Sequence, residues 1–244
     1  MRYAAFFLAT HTNAALAGRL DFVPFPPVTT LSGTPEWVFY ALGPNGRKLR
    51  STPQEWVEVL RKLGAKRAWF GYDLEFRSEG IWIEGTFGLQ FYWIRNEVVV
   101  PREHSRISIY GRVASTDQRL EPSPVPEVLR RLGQSLEGMI EFSKEERPDT
   151  FSKMLLEARG ILQGDPVHKG IAELFPGSLY PLENQKLLGA AASGDVFGNG
   201  GMGWWFDFHN SDEERFRLVT KNYAKPFNEA FPAASFLDLG TNQS

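Results

Sequence analysis

The chain has 244 residues, enough for one large domain or two small ones. Hydrophobic residues make up 42% and charged residues 23%, which is typical of a globular protein and excludes wholesale disorder. The net charge of −2 gives no field that attracts nucleic acid or anionic membranes, and the absence of cysteine excludes disulfides and thiolate metal sites.

The first nine residues are predicted to form a buried strand. Arg2, the apolar run that follows it and the segment 15–17 together have the outline of a signal peptide. However, the polar segment 10–13 is long for a cleavage region. We therefore favour a strand.

One helix is clearly indicated in the first half of the chain. Residues 37–42 form an aromatic and β-branched strand run, closed by turn residues at 43–46. Residues 52–55 then read Thr-Pro-Gln-Glu, a capping box with proline at the first helical position. Apolar residues at helical spacing follow, so this segment is predicted to begin a helix.

Alternation of period two predicts a sheet over the next fifty residues. The predicted strands cover residues 69–76, 81–93, 98–100 and 106–113, and Gly85 and Gly88 mark either a bulge or an intervening turn within 81–93. The alternation places Trp69, Trp82 and Tyr92 together on the face opposite the apolar one. Either helices from the second half cover this face, which is the favoured interpretation, or the three aromatic residues are exposed and form a binding surface. Short connections between successive strands indicate an antiparallel meander, because parallel pairing requires crossovers.

The second half has the pattern of helices. Apolar stripes predict helices at 128–140, 151–162 and 182–192. A last helix is predicted to open with a capping box at 211–214 and to be interrupted at Pro226. Its apolar stripe consists of Phe216, Val219, Tyr223, Phe227 and Phe231, and the first four of these are expected to be buried.

These elements predict an α+β fold. An antiparallel sheet of about five strands from the N-terminal half should pack against helices that come mostly from the C-terminal half. We treat residues 1–244 as a single domain with a β-rich part, 1–120, and a helical part, 121–244. The proline-rich segment 121–126 joins the two parts.

The most unusual stretch is the glycine-rich segment 194–209. Residues 198–203 match G-x-G-x-x-G, but that fingerprint binds a dinucleotide only between a strand and a helix. Here a helical pattern precedes it and an aromatic run follows, so we expect no cofactor. Two interpretations stay open. The favoured one is a structural connection with glycines at positive φ; the other is a mobile loop over a pocket.

Potential metal ligands are densest around Asp207 and His209. The carboxylates at 212–214 lie where acidic residues stabilise a helix dipole, which already explains them. No metal-binding spacing and no nucleophile elbow occurs in the sequence. We therefore expect no metal.

Two functions of different classes remain. The leading hypothesis is a non-catalytic protein-binding or adaptor protein of the cytoplasm, for example one resembling a bacterial immunity protein. Its partner would be another protein, not nucleic acid or membrane, and Trp69, Trp82 and Tyr92 would bind it, since aromatic residues dominate interface energetics.

The alternative is a hydrolase with its site near the segment 194–209. Asp207 or His209 would act as general base, with Asp195 as a third polar group at the rim. A pocket that brings these side chains within hydrogen-bond reach would favour this alternative over the binding protein.

Overall fold

The structure is a computed structural model that describes residues 2–21, 23–24, 36–42, 48–73, 78–86, 88–99, 104–113, 122–146, 151–175, 179–197, 205–207 and 212–237. The chain divides into two compact units. The first consists of residues 1–121, 174–179 and 235–244, and the second of residues 122–173 and 180–234. The division after Glu121 falls within the predicted proline-rich junction. That the whole chain forms a single domain stays a prediction.

The first unit contains a mixed sheet of six strands. They are β1 (Glu36–Leu42), β2 (Lys48–Ser51), β3 (Ala65–Asp73), β4 (Ser78–Gly85), β5 (Gly88–Val99) and β6 (His104–Val113). Their order in the sheet is β2-β1-β6-β5-β4-β3. The α+β class and the N-terminal position of the strands are confirmed. The prediction of about five strands, all antiparallel, is wrong.

The departure from an antiparallel sheet is confined to β1 and β6. These strands run parallel, with Glu36 opposite Arg106 and Phe39 opposite Ile109. Alternation within a strand shows which residues share a face, but it carries no information on which distant strand lies alongside. The missed strand, β2, has only four residues and no apolar run, so its sequence gave no strand signal.

The N-terminal segment is a helix, α1 (Arg2–Leu16), and the predicted strand is wrong. Every residue from Ala4 to Ala15 is buried, so α1 has no solvent-facing polar stripe that would reveal its period. Thr10, His11 and Asn13 are hydrogen-bonded inside the unit; Thr10 Oγ1, for example, donates to the Leu174 carbonyl at 2.9 Å. A buried polar group needs such a partner, which explains how these three residues are tolerated in the core.

The helix predicted after residue 52 is confirmed as α2 (Pro53–Lys62). Thr52 Oγ1 accepts from the Glu55 amide at 3.2 Å, and Glu55 Oε2 accepts from the Thr52 amide at 3.0 Å. The ring of Trp56 packs on Phe39 of β1 with centroids 4.9 Å apart. Within the first unit, α1 and α2 therefore supply helical cover for the sheet.

Strand β3 lies at an edge of the sheet, and side chains bind two of its amides. The Ala68 N–H donates to Asn13 Oδ1 of α1 at 3.1 Å, and the Phe70 N–H donates to Ser235 Oγ at 2.7 Å. Bare edge amides are a template for pairing with another chain. The side chains of Asn13 and Ser235 accept from these two amides, which are therefore not available for pairing with another strand.

Replacing Ser235 with alanine is expected to lower the free energy of unfolding by about 1–3 kcal/mol, because it removes a buried acceptor from the Phe70 amide. Ser135→Ala is the matched control, since Ser135 Oγ donates to the Leu132 carbonyl within its own helix. The control should change stability by no more than about 0.5 kcal/mol. Urea unfolding followed by circular dichroism measures both, and equal losses would contradict the role of Ser235.

The second unit is helical. Its elements are α3 (Val125–Glu146), α4 (Phe151–Gln163), α5 (Lys169–Ala172), α6 (Leu182–Ser193), a 3-10 turn (Trp205–Asp207) and α7 (Glu213–Ser235), whose last residue belongs to the first unit. The predicted helices at 128–140, 151–162 and 182–192 are confirmed. Helix α3 begins inside the proline-rich segment, because Pro126 occupies its first turn, where no intrahelical N–H bond is needed.

Helix α7 departs from the prediction at two places. Asp212 caps it, with Oδ1 accepting from the Arg215 amide at 2.9 Å, whereas Ser211 lies outside the described residues. The helix also continues through Pro226 and Pro232 instead of stopping at the first. The predicted stripe is buried at Tyr223, Phe227 and Phe231, and partly buried at Phe216 and Val219.

Candidate functional site

The three aromatic residues predicted to form a binding face do not share one face of the sheet. Trp69 lies opposite Trp82, and Trp82 opposite Phe91, whereas Tyr92 lies opposite Ile81. Directly paired residues point to the same side, so Tyr92 projects away from Trp69 and Trp82. The prediction of a single aromatic face is therefore wrong.

The hairpin between β4 and β5 causes this error. Gly85 pairs with Gly88 across a two-residue turn, so odd-numbered residues of β4 pair with even-numbered residues of β5. A register that differs by one residue moves every side chain to the other face. Sequence alternation within each strand was correct, but it did not fix the register between them.

Trp69 and Trp82 belong to the core of the first unit. They are 3% and 4% exposed. Trp82 packs on Phe91 with ring centroids 4.7 Å apart, and Trp69 meets Phe236 edge-on at 5.7 Å. This burial leaves too little surface for a partner to contact, so it speaks against the predicted binding role.

Tyr92 is also enclosed. Its ring meets that of Trp56 edge-on at 5.9 Å, and its hydroxyl donates to Gln90 Oε1 at 2.6 Å. A Cβ atom at Gly111 would collide with the Tyr92 ring, so this glycine is required by close packing. These contacts give Tyr92 a structural role.

Within the glycine-rich segment 194–209 the structure describes residues 194–197 and 205–207. Asp195 is buried directly after α6, and Asp207 ends the 3-10 turn. His209 and residues 198–203 lie outside the described residues. The grouping of Asp195, Asp207 and His209 at a hydrolase site therefore stays a prediction.

Gly194, the first residue of this segment, has φ −88°. The prediction that several glycines of the segment have positive φ falls on residues outside the described ones and stays a prediction. The Tyr223 hydroxyl donates to the Gly194 carbonyl at 2.8 Å, and a Cβ at Gly194 would collide with that hydroxyl. Glycine is needed here because the tyrosine approaches the backbone closely.

Two histidines, His11 and His168, make contacts that stabilise helices. His11 is buried in α1, its Nδ1–H donates to the Phe7 carbonyl at 2.8 Å, and its ring stacks on Phe7. Burial lowers the pKa of His11 to about 4, partly opposed by the hydrogen bond to Phe7. His168 accepts from the Gly170 amide at 3.2 Å and caps α5. Across the described ranges, no three His, Asp or Glu side chains form a group that could hold a metal ion.

The 3-10 turn that follows the glycines is fixed by Trp205. The indole Nε1–H donates to Thr220 Oγ1 of α7 at 2.6 Å. The ring stacks on Phe216 at 5.5 Å and meets Phe151 edge-on at 5.4 Å. Trp205 is 2% exposed, so it ties the turn to the core of the second unit.

The next residue, Phe206, points out of that core. Its side chain is 64% exposed and stacks on Phe197 with centroids 5.5 Å apart. Phe197 in turn contacts Tyr223 at 5.8 Å and Phe227 at 5.4 Å. The result is an exposed aromatic ring that packs on a cluster of aromatic side chains. Sequence analysis missed Phe206, because a run of adjacent aromatic residues does not show which ring faces solvent.

Comparisons with protein-family models, with curated proteins and with solved structures found no match to this chain. Among the described residues, none of the helices has the length and apolar character needed to span a bilayer.

Proposed function

We propose that this protein is a non-catalytic protein-binding or adaptor protein in which Phe206 is an anchor for the partner. The observation that carries this proposal is the 64% exposure of a phenylalanine whose neighbour, Trp205, is buried and hydrogen-bonded. Exposing a large aromatic ring to water is unfavourable, and burial of the ring by a partner would reverse that penalty.

The turn that presents Phe206 is organised before any partner arrives. Trp205 fixes the backbone through Thr220, and Phe197 supports the exposed ring from below. Binding then orders few additional groups, which lowers the entropic cost of association. Aromatic residues held in this way are typical hot spots of protein interfaces.

Phe206 replaces the residues that the sequence had indicated for binding. Trp69, Trp82 and Tyr92 are core residues of the first unit, whereas Phe206 belongs to the second. The class of function is unchanged: an adaptor or an immunity-like protein acts by occupying a surface of another protein.

The test is Phe206→Ala, compared with Tyr72→Ala as a matched control. Tyr72 is also an exposed aromatic residue, at 43%, but it lies in the first unit. Proteins retained from native lysate by the immobilised wild-type chain are identified, and their affinities for each purified variant are measured. We expect Phe206→Ala to weaken binding by about thirtyfold or more, the loss of a hot spot, and Tyr72→Ala to leave it unchanged.

Both variants should unfold within about 0.5 kcal/mol of wild type, because neither side chain belongs to a core. Equal binding by wild type and Phe206→Ala would refute the anchor. A catalytic activity of the purified chain that His209→Ala abolishes without changing the melting temperature would instead favour the hydrolase alternative.

A further inference from the structure

Helix α7 carries a row of basic side chains on its solvent side. Arg217, Lys221 and Lys225 are spaced four residues apart, so they form one line along the helix, which we name the basic stripe. All three are exposed. They face away from Tyr223 and Phe227, which are buried in the second unit.

The charges of this stripe are only partly balanced within the chain. Arg217 pairs with Glu213 at 2.6 Å, one turn earlier. In the described part of the chain, Lys221 and Lys225 form no ion pair. Glu229 is placed one turn after Lys225 but pairs with Arg131 of α3. Like charges four residues apart destabilise a helix, so this arrangement opposes the stability of α7.

An exposed leucine lies beside the basic stripe. Leu218 is 57% exposed. It precedes Lys221 by three residues and Lys225 by seven, a spacing that places all three side chains on the same side of the helix. One apolar residue beside a row of cations is complementary to a helix that carries carboxylates beside an apolar side chain.

We infer that the basic stripe and Leu218 bind an acidic amphipathic segment of a partner protein. The inference rests on the proposed function in one respect, that the partner is a protein. Carboxylates of the partner would pair with Lys221 and Lys225, remove the repulsion along α7, and bring an apolar side chain against Leu218.

The same features argue against two other polyanions as the ligand of the basic stripe, an anionic membrane and nucleic acid. A helix that lies on a membrane inserts a broad apolar face, but the apolar face of α7 is buried, at Tyr223, Phe227 and Phe231. Nucleic acid is held by many phosphate contacts, and this chain has a net charge of −2. An acidic protein segment needs only the few cations present and can also use Leu218.

The test uses the full chain and a synthetic probe. The probe is a fluorescein-labelled helical peptide of four turns with glutamates flanking a single leucine stripe. Its binding is followed by fluorescence anisotropy at low salt and at about 0.3 M salt, where surface charge pairs are strongly screened. We expect binding at low salt that weakens at least tenfold at high salt.

Variants then locate the site. Lys221→Glu with Lys225→Glu should weaken binding at least tenfold, and Leu218→Ser about threefold or more, a loss in the range of a partly buried apolar contact. The matched control is Lys144→Glu with Lys153→Glu, the same charge change at exposed lysines of α3 and α4. The control should bind the peptide as wild type does, and circular dichroism should show all variants folded.

Several results would overturn the inference: no binding of the peptide at low salt, equal weakening by the control pair, or equal binding of a peptide with the same composition in scrambled order. Tighter binding to phosphatidylserine vesicles or to duplex DNA, lost in the Lys221 and Lys225 variant, would overturn it in favour of that polyanion. None of these results alters the Phe206→Ala comparison, so the two proposals fail separately.

Discussion

Replacing Trp56 with alanine is expected to lower the free energy of unfolding by about 3–5 kcal/mol, the largest effect of any substitution considered for this protein. Trp56 is fully buried between α2 and the sheet. Its ring packs on Phe39 at 4.9 Å and on Tyr92 at 5.9 Å. Alanine would remove these contacts and leave a cavity that the surrounding strands cannot fill.

Trp56→Phe separates packing from hydrogen bonding. The buried Trp56 Nε1 has no hydrogen-bond partner in the described part of the chain, so phenylalanine removes no such bond. It should cost less than about 1.5 kcal/mol, because most of the ring volume is kept. Urea unfolding measured by circular dichroism gives both values. A loss for Trp56→Phe as large as that for Trp56→Ala would contradict the expectation that most of the stabilisation comes from ring volume that phenylalanine keeps.

The second large effect is a loss of stability on acidification through His11. Its pKa is about 4 in the folded protein and 6.5 in an ordinary environment, because burial disfavours the charged imidazolium. As the pH falls, the unfolded chain therefore takes up this proton first. The contribution of His11 to the free energy of unfolding is complete above pH 6.5 and is lost as the pH falls towards about 4. The total loss is about 3 kcal/mol.

The variant His11→Gln isolates this effect, because glutamine can still donate to the Phe7 carbonyl but does not titrate. Carboxylates titrate over the same pH range in wild type and in His11→Gln, so their contribution cancels when the two proteins are compared. The unfolding free energy of each is measured by urea titration from about pH 7.5 to about pH 4, and the difference is taken at each pH. We expect wild type to lose about 3 kcal/mol more than His11→Gln. Parallel pH profiles would show that His11 is not desolvated in the folded state.

The amphipathic helices and their ends could be predicted from the sequence. The capping box at Thr52 and Glu55 specifies the start of α2 through bonds between residues three apart. The helices α3, α4 and α6 were likewise predicted from apolar residues at helical spacing. These features depend on near neighbours in the chain, which the sequence shows directly.

Helix α1 and the strand pairing could not be predicted in this way. A helix buried on every side has no polar face, so the period that marks a helix is absent from residues 4–15. The parallel pairing of β1 with β6 joins residues about seventy apart, and the two-residue turn after Gly85 sets which face each aromatic residue occupies. Alternation within one strand leaves both choices open.

The candidate site also combines features that the sequence shows directly with features that depend on distant residues. Sequence alone determined that an aromatic run follows the glycines of the glycine-rich segment. Only the tertiary structure decided that Trp205 is buried, that Phe206 is exposed, and that Trp69 and Trp82 belong to a core. The physical reason is that exposure depends on what covers a side chain, and the covering residues come from distant parts of the chain.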